Sequence, residues 1–325
     1  MKKRITWVDT AKGIGILLVV LDHILTSYVR RSGCNNLLSA LPIKIVLGFF
    51  MPLFFFLSGI FIGSVLKKDF FTVFKTKFKR LMIPYFVWGI ISVAFYEIYS
   101  KNLSIIRFLE LPFRPIFVLW FVYSLFIIIL VFYLLQKAFK IPTVFIISIF
   151  MFVLGNFISV RFDNSVDSWT VLAVGLLRYF IFVYLGFLSK DYLLSSNSKM
   201  RINLSIILSL VALFILNIIS VNIFLIKIII ELFIGISGII FVCNLSMLIS
   251  SKNVVKITLA RLGELSMQIY LVHKLVVEVV SIAVFHFTSE LYLYTVFNLI
   301  ITLIISFLAI IIINKLKLNR LFWGI

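Results

Sequence analysis

The sequence predicts an all-α, polytopic membrane protein of about ten transmembrane helices, with the N-terminus and C-terminus both cytoplasmic. Hydrophobic residues make up 63% of the 325 and charged residues only 13%, about half the charged share of a soluble domain. Mean hydropathy is +1.20. Apolar stretches recur between charged or polar breaks, each about 17–25 residues long and so sufficient to span a bilayer as a helix.

These stretches place helices near 11–29, 43–64, 81–99, 116–135, 143–160, 170–188, 203–219, 222–248, 266–285 and 291–313. The break at Ser220, Val221 and Asn222 separates the seventh from the eighth. Charge tests the count. With the N-terminus inside, the cytoplasmic segments hold about 20 Lys and Arg and the outer segments 6, as the positive-inside rule requires. Nine spans would put the C-terminal basic cluster, or the Lys252 group, on the wrong side. The MKKR start and the apolar run after it resemble a signal peptide. Asp22 and His23 interrupt that run and no small-residue cleavage pattern follows, so a retained first helix is expected. Both ends are short, no linker or internal repeat stands out, and residues 1–325 read as a single transmembrane domain.

A formal charge of +19, from 31 basic and 12 acidic residues, raises nucleic acid as a partner. The basic residues lie mostly in short loops between apolar spans, so the lipid bilayer is the expected partner and nucleic acid is not. Cys34 and Cys243 have no partner at redox or metal spacing, and no metal is expected. There is no phosphate loop, zinc spacing or nucleophile elbow.

Ionisable groups at membrane depth are costly and mark function by default. The first helix carries the densest set: Asp9 and Lys12 at its entrance, Asp22 and His23 well inside. Lys12 and His23 are eleven residues apart, so at about 100° per residue they share a face, separated by about 16 Å along the axis. Gly13 and Gly15 permit close approach of a helix or ligand. The bland alternatives stay open. His23 also suits a buried hydrogen-bonded histidine, Lys12 a snorkelling lysine, and Asp9 a helix-start anion with Lys12 three residues on. Lys227 with Glu231, and Lys274 with Glu278, have helical ion-pair spacing. Arg178 has no local acid; contact with Asp22 or Glu97, or a polar cavity, would each account for it. His273 lies early in the ninth helix, which opens at Ser266, a candidate cap. It suits a structural or a site role equally. Arg80 ends the run KTKFKR and fits charge-set orientation or a phosphate clamp.

Five segments, in order, resemble the acyltransferase-3 family of bacterial membrane O-acyltransferases, most closely its fucose-acetylase-like and exopolysaccharide O-acetyltransferase branch. They are WVDTAKGIGILLVVLDH with its basic-x10-His spacing, MPLFFFLSGIF from Met51, KRLMIPYFVWG from Lys79, LWFVYSLF from Leu119, and LGELSMQIYLVH from Leu262 to His273. Much of the wider family has Arg where Lys12 stands. Phe50 replaces a His usual in the branch, and Asp22 stands where Gly is common.

The resemblance implies transfer of an acetyl group from cytoplasmic acetyl-CoA to a hydroxyl of a cell-surface polysaccharide or its lipid-linked precursor, in the bacterial cytoplasmic membrane. Polysaccharide-assembly proteins are its expected partners. By position it implies His23 as catalytic base, Lys12 with Arg80 and Lys79 facing the donor's phosphates, and Trp120 and His273 shaping the site. An anionic cytoplasmic donor suits a basic entrance, and a sugar hydroxyl needs a base in the range of an imidazole. Asp22 lies about 100° around the helix from His23 and is not expected to orient it. Ser58 is a candidate site contact. The rival readings are a transporter or flippase for a lipid-linked or small anionic substrate, and a non-catalytic partner of a polysaccharide synthase.

Overall fold

A computed structural model describes residues 4–34, 37, 41–100, 105–115, 117–161, 168–195, 199–219, 223–249 and 253–325. No strand occurs among them. In chain order the helices are α1 (Thr6–Ser32), α2 (Leu41–Leu47), α3 (Phe50–Gly59), α4 (Phe70–Lys77), α5 (Ile83–Ser100), α6 (Ile105–Glu110), α7 (Trp120–Ala138) and α8 (Ile141–Arg161). They continue as α9 (Ser168–Leu188), α10 (Lys190–Leu194), α11 (Lys199–Ile218), α12 (Phe224–Ile249), α13 (Asn253–Glu264), α14 (Ser266–Phe287), α15 (Leu291–Lys315) and α16 (Asn319–Phe322).

By length and apolarity, eight helical stretches among the described residues suit a membrane crossing: Ile43–Lys67, Phe70–Tyr99, Trp120–Ala138, Ile141–Arg161, Thr170–Leu188, Phe224–Ile249, Ser266–Phe287 and Leu291–Lys315. Two of the ten expected spans differ in kind. α1 is long but carries Asp9, Lys12, Asp22 and two terminal arginines. The apolar part of α11, Ile202–Ile218, is shorter than the rest. α11 and α12 are nonetheless separate helices packed on each other. The expected break at Ser220–Asn222 lies outside the described residues.

Local chemistry moves several boundaries. The expected span 43–64 is broken into α2, α3 and a tight helical turn, Ile62–Lys67. The break after α2 comes at Gly48 and Phe49, where the Phe49 ring packs on Gly238 of α12 with no room for a Cβ there. The expected span 81–99 starts earlier, because Asp69 accepts the N–H of Thr72 at 2.9 Å and caps α4. That hydrogen bond also holds the exposed Asp69 carboxyl below its usual range. Phe78–Met82 then form a π-helical turn between α4 and α5, so the basic run KTKFKR is helical rather than a loop. α13 was not expected at all. It is a short amphipathic helix whose charges hid it, and it runs into α14 at Leu265. Leu265, not Ser266, is the N-cap of α14, with no side-chain bond.

The chain forms two compact units, Met1–Leu57 with Asp191–Ile310, and Ser58–Lys190 with Ile311–Ile325. In the first, α1 packs along α13, α14 and α12. Gly13 lies against the Leu259 carbonyl and Gly263 against the Asp9 carbonyl, so a Cβ at either would strike backbone. Helices in lipid gain little from apolar burial against one another and rely on such close packing. Contacts between α1 and α13–α14 climb together, from Gly13 at Gly263 through His23 at His273 to Arg30 at Glu278, so α1 and α14 run parallel. In the second unit, α9 packs on α7 and α8, and α16 packs on α5. There the Trp88 indole donates to the Phe322 carbonyl at 3.1 Å and stacks on Trp323.

Replacing Gly263 by Leu should force α1 and α13 apart and cost about 1–3 kcal/mol or more. A thermal melt in detergent would show a clear fall in midpoint, while Gly33→Ala, where no atom lies within 4 Å but φ is +71°, should cause a smaller one.

Candidate active site

Five of the sequence-predicted site residues lie in the first unit: Asp9, Lys12, Asp22, His23 and His273. α1 is uninterrupted from Thr6 to Ser32, so the eleven-residue spacing keeps Lys12 and His23 on one face. At the Lys12 end, the ammonium lies 3.7 Å from Asp9. Close by, Glu264 of α13 takes ion pairs from Arg4 at 2.6 Å and Arg261 at 2.9 Å. Burial alone would raise the Glu264 carboxyl, but the two guanidiniums outweigh it and hold it below the usual range.

Further along, His23 meets His273 of α14, with ring centres 5.2 Å apart and planes inclined by 34°. The His23 side chain is 19% exposed, and His273 is fully buried. His273 Nδ1 faces the carbonyl oxygens of Tyr270 at 2.7 Å and Ile269 at 3.2 Å. Asp22 lies 3.9 Å from His23 Nδ1, beyond hydrogen-bond reach. It takes a hydrogen bond from Thr26 instead, in keeping with the angular argument from sequence.

The sequence reading missed what continues from this pair. Lys274, next to His273, acts electrostatically on both Asp22 and His23. Its ammonium pairs with Glu278 at 2.7 Å, and Arg30 of α1 reaches the same carboxylate oxygen at 2.9 Å. The expected Lys274–Glu278 pair exists, but as part of a ladder of alternating charge, Asp22, Lys274, Glu278, Arg30, built from two helices. Glu278 is 9% exposed and Arg30 54%, so the ladder leads from the histidines to an open helix end. The signal in the sequence was the fourfold spacing of Asp22, Thr26 and Arg30 beside that of Lys274 and Glu278. Nothing in one sequence says that two such faces meet.

The other five predicted residues lie in the second unit. Lys79 and Arg80 are exposed on the π-helical turn. There the backbone of Gly324 lies against both of their carbonyls. Trp120 stacks at a tilt on Tyr179, ring centres 5.5 Å apart, with Gly175 beneath it. Arg178, beside Tyr179 on α9, lies against Gly155 of α8. Ser58, near the end of α3, is partly buried.

The family model for an acyltransferase domain, that of the acyltransferase-3 family, matches residues 5–313. The chain belongs to the acyltransferase-3 family. It is therefore an acyltransferase, and its many long apolar helices make it a multi-pass membrane protein. No curated protein and no solved structure matches the chain significantly. Within this acyltransferase, the face of α1 that the family resemblance singles out is also the face that meets His273.

Lys274→Met should destabilise the acyltransferase by about 3 kcal/mol, the lower end for breaking a buried pair by removing one partner. It strips the cation from Asp22 and half the neutralisation from Glu278. The double change Lys274→Met with Asp22→Asn should recover part of the loss in the same detergent melt.

Proposed function

We propose that this acyltransferase moves an acetyl group from cytoplasmic acetyl-CoA to a hydroxyl of a cell-surface polysaccharide or its lipid-linked precursor, with His23 as the base. One observation carries the reading. A partly open imidazole sits between two charged helices, on one helix face with a cation on one side and a ladder of paired charges on the other.

The proposed orientation puts the Lys12 end of α1 at the cytoplasm and the Arg30 end outside, with both chain termini inside a bacterial cytoplasmic membrane. The balance of about 20 basic residues against 6 supports the inside assignment, and the parallel run of α1 and α14 bears on the number of crossings. The chain must then cross an odd number of times between them. Six of the apolar spans lie there; taking α11 as a seventh and α1 as a further span gives the proposed total of ten. A single functional domain then comprises both compact units.

In the proposed reaction His23 removes the proton from the acceptor hydroxyl as its oxygen attacks the thioester carbonyl. The carbon–sulfur bond breaks, and the departing thiolate takes the proton from the imidazolium. Acetyl passes directly to the sugar, with no enzyme-bound acyl group. Lys12 is assigned to the donor's phosphates, and Lys79 and Arg80, exposed cations in a sequence otherwise poor in charge, to attracting an anionic donor. Asp22 sets the field beside His23. Ser58, Trp120 and Arg178 are assigned to shaping the substrate sites. Polysaccharide-assembly proteins are the proposed neighbours that supply or receive the glycan.

Purified protein in proteoliposomes, given labelled acetyl-CoA and a glycan acceptor, should place label on the glycan. His23→Ala should lower that rate by about 10²–10⁴-fold, and Lys12→Ala should raise KM for the donor well beyond any change for the acceptor. Substrate movement across the vesicle without acetylation would favour a transporter instead. A reporter fused after Lys67 should read cytoplasmic; a periplasmic signal would invert the orientation.

A further inference from the structure

His273 offers one committed nitrogen and one uncommitted nitrogen. Its Nδ1 faces two backbone carbonyl oxygens, at 2.7 and 3.2 Å. Carbonyl oxygens only accept, so the proton resides on Nδ1. Nε2 is thereby a bare acceptor. It is completely buried and has no hydrogen-bond partner among the described residues, a costly state for a polar atom. The His23 ring packs against the same imidazole, 5.2 Å from centre to centre. A ring nitrogen lies about 1.1 Å from its ring centre, so nitrogens aimed at each other would stand about 3 Å apart, a hydrogen-bond length.

We propose that His273 is a positioning residue: a turn of the His23 ring brings its N–H onto the unpartnered Nε2 of His273, fixing the tautomer of His23 and leaving its opposite nitrogen free as the base. The inference rests on the reading of His23 as the base and adds what makes it one. A neutral imidazole has a proton on one nitrogen only, and which nitrogen is decided by the partner of the other. Asp22, at 3.9 Å, is too far to be that partner. Lys274 only donates. His273 presents a fixed acceptor beside His23, and its own backbone bonds prevent it from turning away. When His23 takes the hydroxyl proton, the imidazolium keeps its other N–H on His273. When the thiolate takes that proton back, the pair returns to its starting state. His273 stays neutral and exchanges no proton.

Two substitutions separate this role from simple packing. The amide oxygen of glutamine reaches roughly where a histidine Nε2 sits, whereas the amide nitrogen of asparagine sits near Nδ1. His273→Gln keeps an acceptor for His23. His273→Asn keeps the bond to the Tyr270 carbonyl and loses that acceptor. We expect His273→Ala to lower kcat about 100-fold while KM for acetyl-CoA stays within about 2-fold. His273→Gln should recover about 10-fold over Ala, and His273→Asn should recover nothing. Asparagine performing as well as glutamine would overturn the proposal, since only a structural role predicts it.

A second measurement needs no substrate. The chain has three histidines, so nitrogen-15 histidine NMR of the full protein in lipid is simple to assign, with His286→Gln identifying the third. His23 should show one tautomer in the native protein and a mixture in His273→Ala. A single unchanged tautomer in that variant would overturn the pairing. Native protein with a single His23 tautomer, lost in His273→Ala, but no acetyl transfer would support the pairing and sink the donor assignment.

Discussion

The contact on which the site depends is the one between two stretches of bare backbone. Gly13 and Gly263 bring α1 against α13 so closely that neither tolerates a Cβ. In water such an approach is one packing solution among many. In lipid, where apolar surface gains little by being covered, it is the principal source of helix association. The approach also sets the distance at which α1 and α14 travel side by side, ten residues farther along. Two imidazoles and four charges must share that narrow seam. Among the described residues, Asp22, Lys274, Glu278 and Arg30 find partners on the two helices themselves.

Charge in this seam is arranged rather than merely tolerated. Each rung from Asp22 to Arg30 neutralises the next, so no ion stands alone at low dielectric. The two histidines lie at the ladder's inner end, next to Lys274. The arrangement suits a reaction that needs a base and produces no lasting charge.

Much of this was readable from residue types and spacing. Apolar stretch lengths gave nearly every long helix to within a few residues, since span length is set by the bilayer and not by tertiary detail. The Lys12–His23 face was readable because an unbroken helix obeys a fixed angle per residue. What escaped notice depends on partners distant in the chain. Arg30 looks like a loop charge in the sequence, and Glu278, 248 positions away, gives it a place in the ladder. α13 was hidden because a helix that is half polar and only three turns long leaves no apolar run. The early start of α4 rested on a single capping aspartate that the sequence reading passed over. By residue type and position alone, His273 suits a structural or a site role. Its two nitrogens have opposite environments, and a sequence contains no information about which way a ring faces.

The tail of the second unit carries a different lesson. Trp323 lies flat on Trp88, and Gly324, at φ +69°, lays its backbone on the carbonyls of Lys79 and Arg80. The two most exposed cations of that turn are thus braced by residues some 240 positions downstream. An affinity handle or fluorescent protein appended after Ile325 would emerge one residue from this brace. Rigid fusion there risks prying open the turn, so a purification strategy for this enzyme is better built with a long flexible spacer.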